Sequence, residues 1–314
     1  MPPAIWPSNR FIEFRAMPVL ALALATAALM APTGTLSASQ GGPPAPAGEA
    51  AQPAGRGSQP PAGARQGAGR GNAADPFAGQ PRIRALVVSG GCCHDYTNQD
   101  KLVMEIVRKI LPVDWTVVYQ GGTARESKIP LYATADWIKG FDIVFHNECF
   151  GFVDDVEYIR RITAAHRATH IPAVFTHCSL HSYRNVTIDD WRELLGVMSH
   201  RHTAAHPIAV KWAAPEDPLI KGLKEDWTTP TDELYVIEKT WPNTKVLATA
   251  VSPEEGHATY PVVWTNDYHG ARVFGTSLGH QDSWNDPTFQ ELIARGFRWA
   301  LKKDAAATAA NPGR

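Results

Sequence analysis

The sequence lacks an excess of charge of either sign and, after its first 30 residues, any long apolar run. Lysine and arginine number 30 against 31 aspartate and glutamate, for a formal net charge of -1. This balance implies no basic surface, so we expect no nucleic-acid partner. Without a later apolar run of spanning length, we expect no membrane span in the mature chain. No nucleotide cofactor is evident either.

The first 40 residues have the pattern of an export signal. Arg10 and Arg15 precede the apolar run at residues 17–30, and small residues follow it. A charged start, a short apolar core and a small-residue region are typical of a cleaved secretory signal. We therefore expect a signal peptide at 1–40 and a periplasmic or extracellular protein. A retained N-terminal anchor is the alternative.

A segment rich in glycine, proline and alanine follows at residues 41–80. It has almost no large apolar side chains to bury, so it is expected to be a disordered linker. The C-terminal residues 304–314 have a similar composition and are expected to be a disordered tail. One folded domain is therefore predicted at residues 81–303.

Apolar periodicity in this domain predicts strands that alternate with helices, at first regularly. The first strands are predicted at 84–89, 115–119, 141–145 and 172–176, and the helices at 98–111, 154–167 and 188–195. Such alternation is typical of a parallel α/β sheet. Strands without long helices between them follow at 208–212, 233–238, 245–250 and 260–265, and a last strand and helix at 271–276 and 286–301. The second group predicts an antiparallel extension.

Reactive side chains gather where four of the predicted strands end. The four stretches are "GGCCHDY", "HNECF", "FTHCSLHSY" and "TSLGHQDSW", and they contain all four cysteines. Ligands bind beyond the carboxyl ends of parallel strands, so these stretches predict one site, although loops are polar in any protein. The candidate catalytic residues are His177, His280, Asp282 and Glu148. The candidate substrate-binding residues are His94, Asp95, Tyr96, His181, Tyr183 and Trp284.

These motifs, together with "WRELLG" followed by "SHRH", resemble the ThuA-like, or trehalose-utilisation, family. The resemblance implies a flavodoxin-like α/β sandwich, similar to class I glutamine amidotransferases, and a link to carbohydrate metabolism. The stretch from His280 to Asp282 is similar to the His-x-Glu pair of those amidotransferases. However, Thr176 and Leu180 stand where a strained cysteine elbow has glycines, so no glutaminase is expected.

The histidines suggest a metal site, since neutral imidazole and carboxylate groups suit zinc or a similar divalent ion. His177 and His181 have a spacing that places both on one side of a helical turn. His200 and His202 alternate, and would share a face if extended. The expected ligands are His94, His177, His181 and His280. The alternative for each is a hydrogen-bonded structural histidine.

Two functions remain open from the sequence. The first is a sugar-modifying isomerase, hydrolase or lyase, in which a metal or a cationic histidine polarises a carbonyl and a second group moves the proton. Asp282 would orient His280, and Glu148 is a candidate acid or base. The second is a non-catalytic carbohydrate-binding module with Tyr96, Tyr183 and Trp284 facing the sugar. In both cases the partner is a small-molecule carbohydrate. No oligomeric state or disulfide pairing follows from the sequence.

Overall fold

Strand β1 (Ile83–Gly91) runs through the middle of the parallel part of the sheet and is buried along nearly its whole length. It pairs in parallel with β2 (Val113–Tyr119) on one side and with β3 (Ile143–Cys149) on the other. Its β-branched run is apolar on both faces because helices cover both faces of the sheet.

The computed structural model describes residues 75–254 and 256–303, which belong to one compact unit. The predicted signal peptide at 1–40, the predicted tail at 304–314 and all but the last residues of the predicted linker lie outside the described residues. Within the described part of the chain, no helix combines the length and the apolar character that a bilayer crossing requires.

The main sheet has eight strands in the order β2-β1-β3-β4-β10-β9-β8-β6. Strand β4 (Ala173–Thr176) pairs in parallel with β3, and β10 (Ala271–Thr276) pairs in parallel with β4. Strands β9 (Thr259–Tyr268) and β8 (Thr244–Val251) then continue the sheet in antiparallel pairing. The predicted class, a mostly parallel α/β sheet with an antiparallel extension, is confirmed.

Two parts of the predicted extension differ in detail. The strand predicted at 208–212 is reduced to β6 (Lys211–Trp212) at the sheet edge. Strand β7 (Tyr235–Thr240) leaves the main sheet and pairs with β5 (Val197–His202) as a separate antiparallel ribbon. Each ribbon strand is mostly buried at its start and exposed at its end, and because the two strands are antiparallel their buried starts lie at opposite ends of the ribbon.

Four helices cover the sheet in two pairs. Helices α1 (Tyr96–Arg108) and α4 (Pro287–Ala300) pack together on one face. Helices α2 (Val156–Thr169) and α3 (Asp190–Leu195) pack together on the other. The sheet thus separates two apolar cores, and successive residues of a strand alternate between them.

The carboxyl ends of β1, β3, β4 and β10 lie side by side, since these strands are parallel neighbours. Beyond β4 the chain makes a short 3₁₀ turn at His177–His181, and beyond β10 it makes another at Gln281–Asn285. Strand β5 of the β5–β7 ribbon lies against the first of these turns. The topology therefore brings loops from distant parts of the sequence to one edge of the sheet.

Candidate functional site

Three histidine rings meet at this edge, each from a different strand end. The ring centroids of His94 and His177 are 4.7 Å apart, those of His94 and His280 are 5.2 Å apart, and those of His177 and His280 are 5.5 Å apart. His94 follows β1, His177 follows β4 and His280 follows β10. The histidines that the sequence puts at separate strand ends thus lie within the span of one small ligand.

A carboxylate that the sequence analysis did not select completes this group. Oε2 of Glu233 lies 3.3 Å from Nε2 of His177, and Oε1 lies 3.7 Å from Nε2 of His280. His94, His177 and Glu233 each offer one ligand atom, and these atoms lie within 4.8 Å of one another. We call His94, His177, Glu233 and His280 the His–Glu cluster. The clue in the sequence is the acidic pair in "TDELY", of which Glu233 is also the first residue of the strand predicted at 233–238.

The protonation of His177 follows from its neighbours. Nδ1 lies 2.8 Å from the carbonyl oxygen of Ser277, which can only accept, so Nδ1 carries a hydrogen and donates it. Nε2 is directed towards Glu233 and has no hydrogen-bond partner among the described residues, although it is buried. The backbone of His177 has a φ of 44°, a left-handed conformation that is costly for a non-glycine residue and clusters at functional sites.

Nδ1 of His94 and Nδ1 of His280 are also buried without a hydrogen-bond partner among the described residues. Nearly all buried polar atoms in native proteins have a partner, so three such nitrogens in one cluster call for an explanation. A bound cation would satisfy lone pairs of this kind, and the imidazole–carboxylate donor set suits zinc or a similar divalent ion.

Asp232, next to Glu233, holds the loop that carries His280. Its carboxylate is fully buried and accepts hydrogen bonds from Gly279 N at 2.9 Å, His280 N at 3.3 Å and Ser283 Oγ at 2.7 Å. Oδ1 also lies 3.6 Å from Nδ1 of His177. Asp232 therefore fixes the geometry between two histidines that arrive from different strands.

The charge states in the cluster suit cation binding. Burial, with His177 and His280 nearby, lowers the pKa of His94 to about 3, so this ring is neutral at physiological pH. Burial alone would raise the pKa of Glu233, but His177, His202 and His280 outweigh it and lower that pKa to about 2. Burial likewise opposes charge on His177, yet Glu233, Asp232 and the Ser277 carbonyl raise its pKa. The two carboxylates favour one positive charge here, either a proton on His177 or a metal ion in its place.

Three members of the cluster, His94, Glu233 and His280, line a cavity of about 240 Å³, and His177 lies behind them. His202 and Tyr235 form a further part of the wall. Nε2 of His202 is 3.6 Å from Oε2 of Glu233. Arg125 and Arg184 bring two guanidinium groups to the same cavity. The volume suits a small polar molecule, and the lining supplies hydrogen-bond donors and acceptors around one side of it.

His181 lies in the cavity wall but outside the group of potential ligand atoms. The hydroxyl of Ser199 donates to the carbonyl of Arg201, so it accepts a hydrogen bond from Nε2 of His181 at 3.1 Å. The ring of His181 stacks on Tyr235 at 4.3 Å, and burial lowers its pKa to about 2. Of the four expected ligands, His94 and His177 lie in the group of potential ligand atoms together with Glu233, whereas His280 lies outside that group and His181 packs against the ribbon.

Glu148 does not reach the cavity, contrary to its expected catalytic role. It is fully buried, accepts a hydrogen bond from the hydroxyl of Tyr132 at 2.9 Å and lies 3.0 Å from Nδ1 of His146. His146 and Glu148 are two residues apart on β3, so both side chains point to the same face of the sheet. That face is covered by α2, and Nε2 of His146 is 3.1 Å from Nε2 of His166 on this helix.

Trp284 packs in the core instead of facing a ligand. It is 1% exposed, its Nε1 donates to the carbonyl of Gly279 at 2.8 Å, and its ring contacts Phe145 and Phe289. Tyr183 is also buried and packs on Trp191 in the opposite core. Trp284 is turned inward because the 3₁₀ turn Gln281–Asn285 has an apolar side as well as a polar one, and the apolar side meets the core.

The remaining candidates do not line the cavity: they are Tyr96, Asp95 and Asp282. Tyr96 is buried, and its hydroxyl donates to the carbonyl of Cys92 at 2.8 Å. Asp95 is exposed and caps α1 by accepting from the backbone nitrogen of Asn98. Asp282 is exposed, and no hydrogen bond joins it to His280 within residues 256–303. Asp232 orients the His280 loop instead of Asp282.

All four cysteines lie in the same cavity wall as the His–Glu cluster. Cys92 is bonded to Cys93, and Cys149 is bonded to Cys178. The pairing that the sequence left open thus joins the ends of β3 and β4 by one disulfide and closes the turn after β1 by the other.

The family model for ThuA, described as trehalose utilisation, matches residues 84–300 of the chain. Two solved structures with similar folds are putative ThuA-like proteins. The one from Parabacteroides merdae has a TM-score of 0.59 and 20% identity, over 70% of this chain and 90% of that one. The one from Bacteroides uniformis has a TM-score of 0.58 and 15% identity, over 74% of this chain and 97% of that one. None of the curated proteins matches the sequence.

Proposed function

This chain belongs to the ThuA, or trehalose-utilisation, family, and we propose that it is an enzyme that acts on a sugar or keto-sugar. Family membership supports a carbohydrate-related function. The observation that carries the finer proposal is the convergence of His94, His177 and Glu233, whose potential ligand atoms lie within 4.8 Å of one another at a cavity. The reaction class we propose is isomerisation, hydrolysis or elimination next to a carbonyl.

His94, His177 and Glu233 would hold a divalent metal such as zinc. A metal bound there supplies Lewis-acid polarisation of a carbonyl or hydroxyl oxygen. The donor set fits because both rings have a buried nitrogen without a hydrogen-bond partner among the described residues, and because the carboxylate remains ionised. The hydrogen bond from His177 Nδ1 to the carbonyl of Ser277 fixes the ring and leaves Nε2 as the atom available to bind the metal.

His280 is the residue that we propose to move the proton. Burial and the charge of His177 lower its pKa, so the ring is neutral and can accept a proton at physiological pH. Nδ1 has no hydrogen-bond partner within the described residues, and Asp232 holds the backbone of His280 in place. Arg125 and Arg184 are placed to bind oxygen atoms of the substrate from the other side of the cavity.

A non-catalytic binding module is less well supported. That function depended on aromatic faces turned towards the sugar, as in many carbohydrate sites. Tyr96, Tyr183 and Trp284 are all almost completely buried. The cavity is lined by Phe152 and Tyr235 as well, but four histidines, a carboxylate and two arginines outnumber these two aromatic rings and suit proton transfer and metal binding better than stacking.

The test is metal analysis combined with an activity screen on two matched variants. Glu233→Gln keeps the shape of the side chain and removes its charge, while Glu238→Gln does the same at an exposed carboxylate in the same ribbon. Wild type and Glu238→Gln should bind one zinc per chain and convert a member of a panel of ketoses, keto-sugars and trehalose, followed by NMR. Glu233→Gln should lose at least about tenfold in zinc affinity, the lower end of what even a supporting group costs.

Equal zinc affinity and equal turnover in both variants would contradict the proposed site. Saturable sugar binding by calorimetry, without turnover in any variant and without metal, would instead favour the binding module.

A further inference from the structure

The four cysteines form one contiguous sulfur cluster, which we call the cysteine cluster: Cys92, Cys93, Cys149 and Cys178. The two disulfides touch, with Sγ of Cys92 3.8 Å from Sγ of Cys149. The sulfur atoms of Cys92, Cys93 and Cys149 lie within 4.8 Å of one another, and Cys178 is bonded to Cys149. Every cysteine of the chain is therefore in this cluster.

One of the two bonds is poorly suited to a purely stabilising role. A disulfide stabilises a protein mainly by restricting its unfolded chain, and the effect grows with the length of the closed loop. Cys92 and Cys93 are adjacent in sequence, so their bond closes almost no loop. The Cys149–Cys178 bond spans a sequence separation of 29 and suits that role better.

The backbone at Cys93 also indicates a function. Its φ is 91°, a conformation that non-glycine residues rarely adopt, and it follows two glycines at the end of β1. Strain of this kind persists where the surrounding structure over-determines it, and it clusters at functional sites. Here the bend turns two adjacent side chains to the same place, whereas in an extended strand they would point to opposite faces.

One sulfur–sulfur distance, the one between the two disulfides, is compatible with a metal–thiolate site. Zinc bound to four thiolates has Zn–S distances of about 2.3 Å, so the sulfurs of a regular tetrahedron lie about 3.8 Å apart. The observed distance between Cys92 and Cys149 is 3.8 Å. The supporting backbone comes from the ends of three neighbouring strands, β1, β3 and β4.

We propose that the cysteine cluster is a redox-controlled metal site: when both disulfides are reduced, it binds a thiophilic divalent cation such as Zn²⁺ through four thiolates. Each protein disulfide is reduced by one molecule of an external dithiol, which gives up two electrons and two protons. The dithiol is itself oxidised to a disulfide. Two dithiols therefore yield four thiols, and the cation replaces their four protons with four metal–sulfur bonds. Cys93 is exposed and Cys92 half-buried, so the reductant reaches this pair first, from the cavity.

This site is distinct from the His–Glu cluster, because its donors are sulfurs and none of its residues belongs to that cluster. The two sites share the cavity wall, so an ion in the cysteine cluster would lie beside the proposed substrate site. Binding at one can be tested without the other, since cadmium bound to thiolates has a charge-transfer absorption that histidine and carboxylate ligands do not produce.

The experiment uses the full chain, reduced with a dithiol under nitrogen, freed of reductant by desalting and titrated with Zn²⁺ and then Cd²⁺. Alkylation and mass spectrometry should count no free thiol before reduction and four after it. One Zn²⁺ per chain should bind without a thiolate absorption above about 240 nm being produced, and Cd²⁺ should displace it and produce that absorption, because thiolates bind the softer cation more tightly. Glu233→Gln should keep this absorption, and Cys149→Ser, which retains three of the four thiolates, should weaken it. Circular dichroism follows whether the reduced chain remains folded.

Three results would overturn the proposal, and each is obtained with wild-type protein alone. The first is four free thiols in a folded chain with no thiolate absorption on adding Cd²⁺. The second is disulfides that resist the dithiol until the chain is denatured, which would make them structural. The third is unfolding on reduction that Cd²⁺ does not reverse. None of these results bears on metal binding by the His–Glu cluster.

Discussion

Nε2 of His177 lies 3.3 Å from Oε2 of Glu233, across the boundary between the main sheet and the β5–β7 ribbon. His177 follows a strand of the sheet, and Glu233 precedes the second ribbon strand. The proposed site therefore exists only when the ribbon is docked on the sheet.

We expect His177→Ala to lower both metal content and stability. It removes a proposed ligand, it takes the hydrogen bond of His177 Nδ1 from the buried carbonyl of Ser277, and it takes one neighbour from the buried carboxylate of Asp232. An unsatisfied buried group costs about 1–3 kcal/mol, so the free energy of unfolding in urea should fall by about that amount. The exposed His200→Ala should change neither quantity. Full metal content in His177→Ala would remove His177 from the ligand set.

Asp232→Asn should destabilise the protein and reduce kcat. The amide keeps the size of the carboxylate, but its NH₂ group cannot accept the hydrogen bonds of Gly279 N and Ser283 Oγ. We expect a loss of about 1–3 kcal/mol in the free energy of unfolding. Ser283→Ala removes one of these bonds only and should cost about 1 kcal/mol. A variant with wild-type stability and kcat would show that Asp232 does not position His280.

Trp284→Phe distinguishes core packing from ligand contact. The indole donates to the carbonyl of Gly279 and is 1% exposed, so its replacement should lower the free energy of unfolding by about 1–2 kcal/mol. Because the ring does not line the cavity, KM for the identified substrate should stay within about twofold, a change worth less than about 0.5 kcal/mol. A large rise in KM with unchanged stability would restore the ligand-facing role expected from the sequence.

Asp100 should make stability depend on pH. Burial raises its pKa from 3.8 to about 6, against the opposing hydrogen bonds of Ser89 and Asn147. The folded chain thus binds more protons than the unfolded chain between these values, so this contribution to stability decreases as pH rises from about 4 to about 6. A shift of this size corresponds to about 3 kcal/mol. The free energy of unfolding of Asp100→Asn, measured relative to wild type, should therefore rise by about that amount between pH 4 and pH 7. Parallel curves of unfolding free energy against pH for the two proteins would contradict this prediction.

We propose that residues 1–40 are removed on export, on the basis of their sequence pattern. Mass spectrometry of the native protein from the periplasm or medium should find an N-terminus near residue 40. A matched protein with Arg10 and Arg15 changed to glutamate should accumulate inside the cell. Recovery of the native protein with Met1 retained would contradict removal of the segment.

Much of the fold could be predicted from local pattern. The β-branched run that became β1 and the helical spacing that became α1 are properties of neighbouring residues, and they do not depend on distant contacts. The same holds for the strand ends that carry His94, His177 and His280, because parallel strands place their carboxyl ends at one edge. These rings do lie together.

Tertiary structure decided which neighbours face the cavity and which face the core. Glu148 and Trp284 stand in the same motifs as the clustered histidines, yet the pleat of β3 and the inner side of a 3₁₀ turn direct them into the two cores. Glu233 and Asp232 joined the site only because β7 pairs with β5. The amino-acid sequence by itself determined the sheet and the edge where the reactive side chains gather, since periodicity is local. Long-range strand pairing decided which carboxylates join the site, since no pattern of neighbouring residues shows which distant segment will pack against this edge.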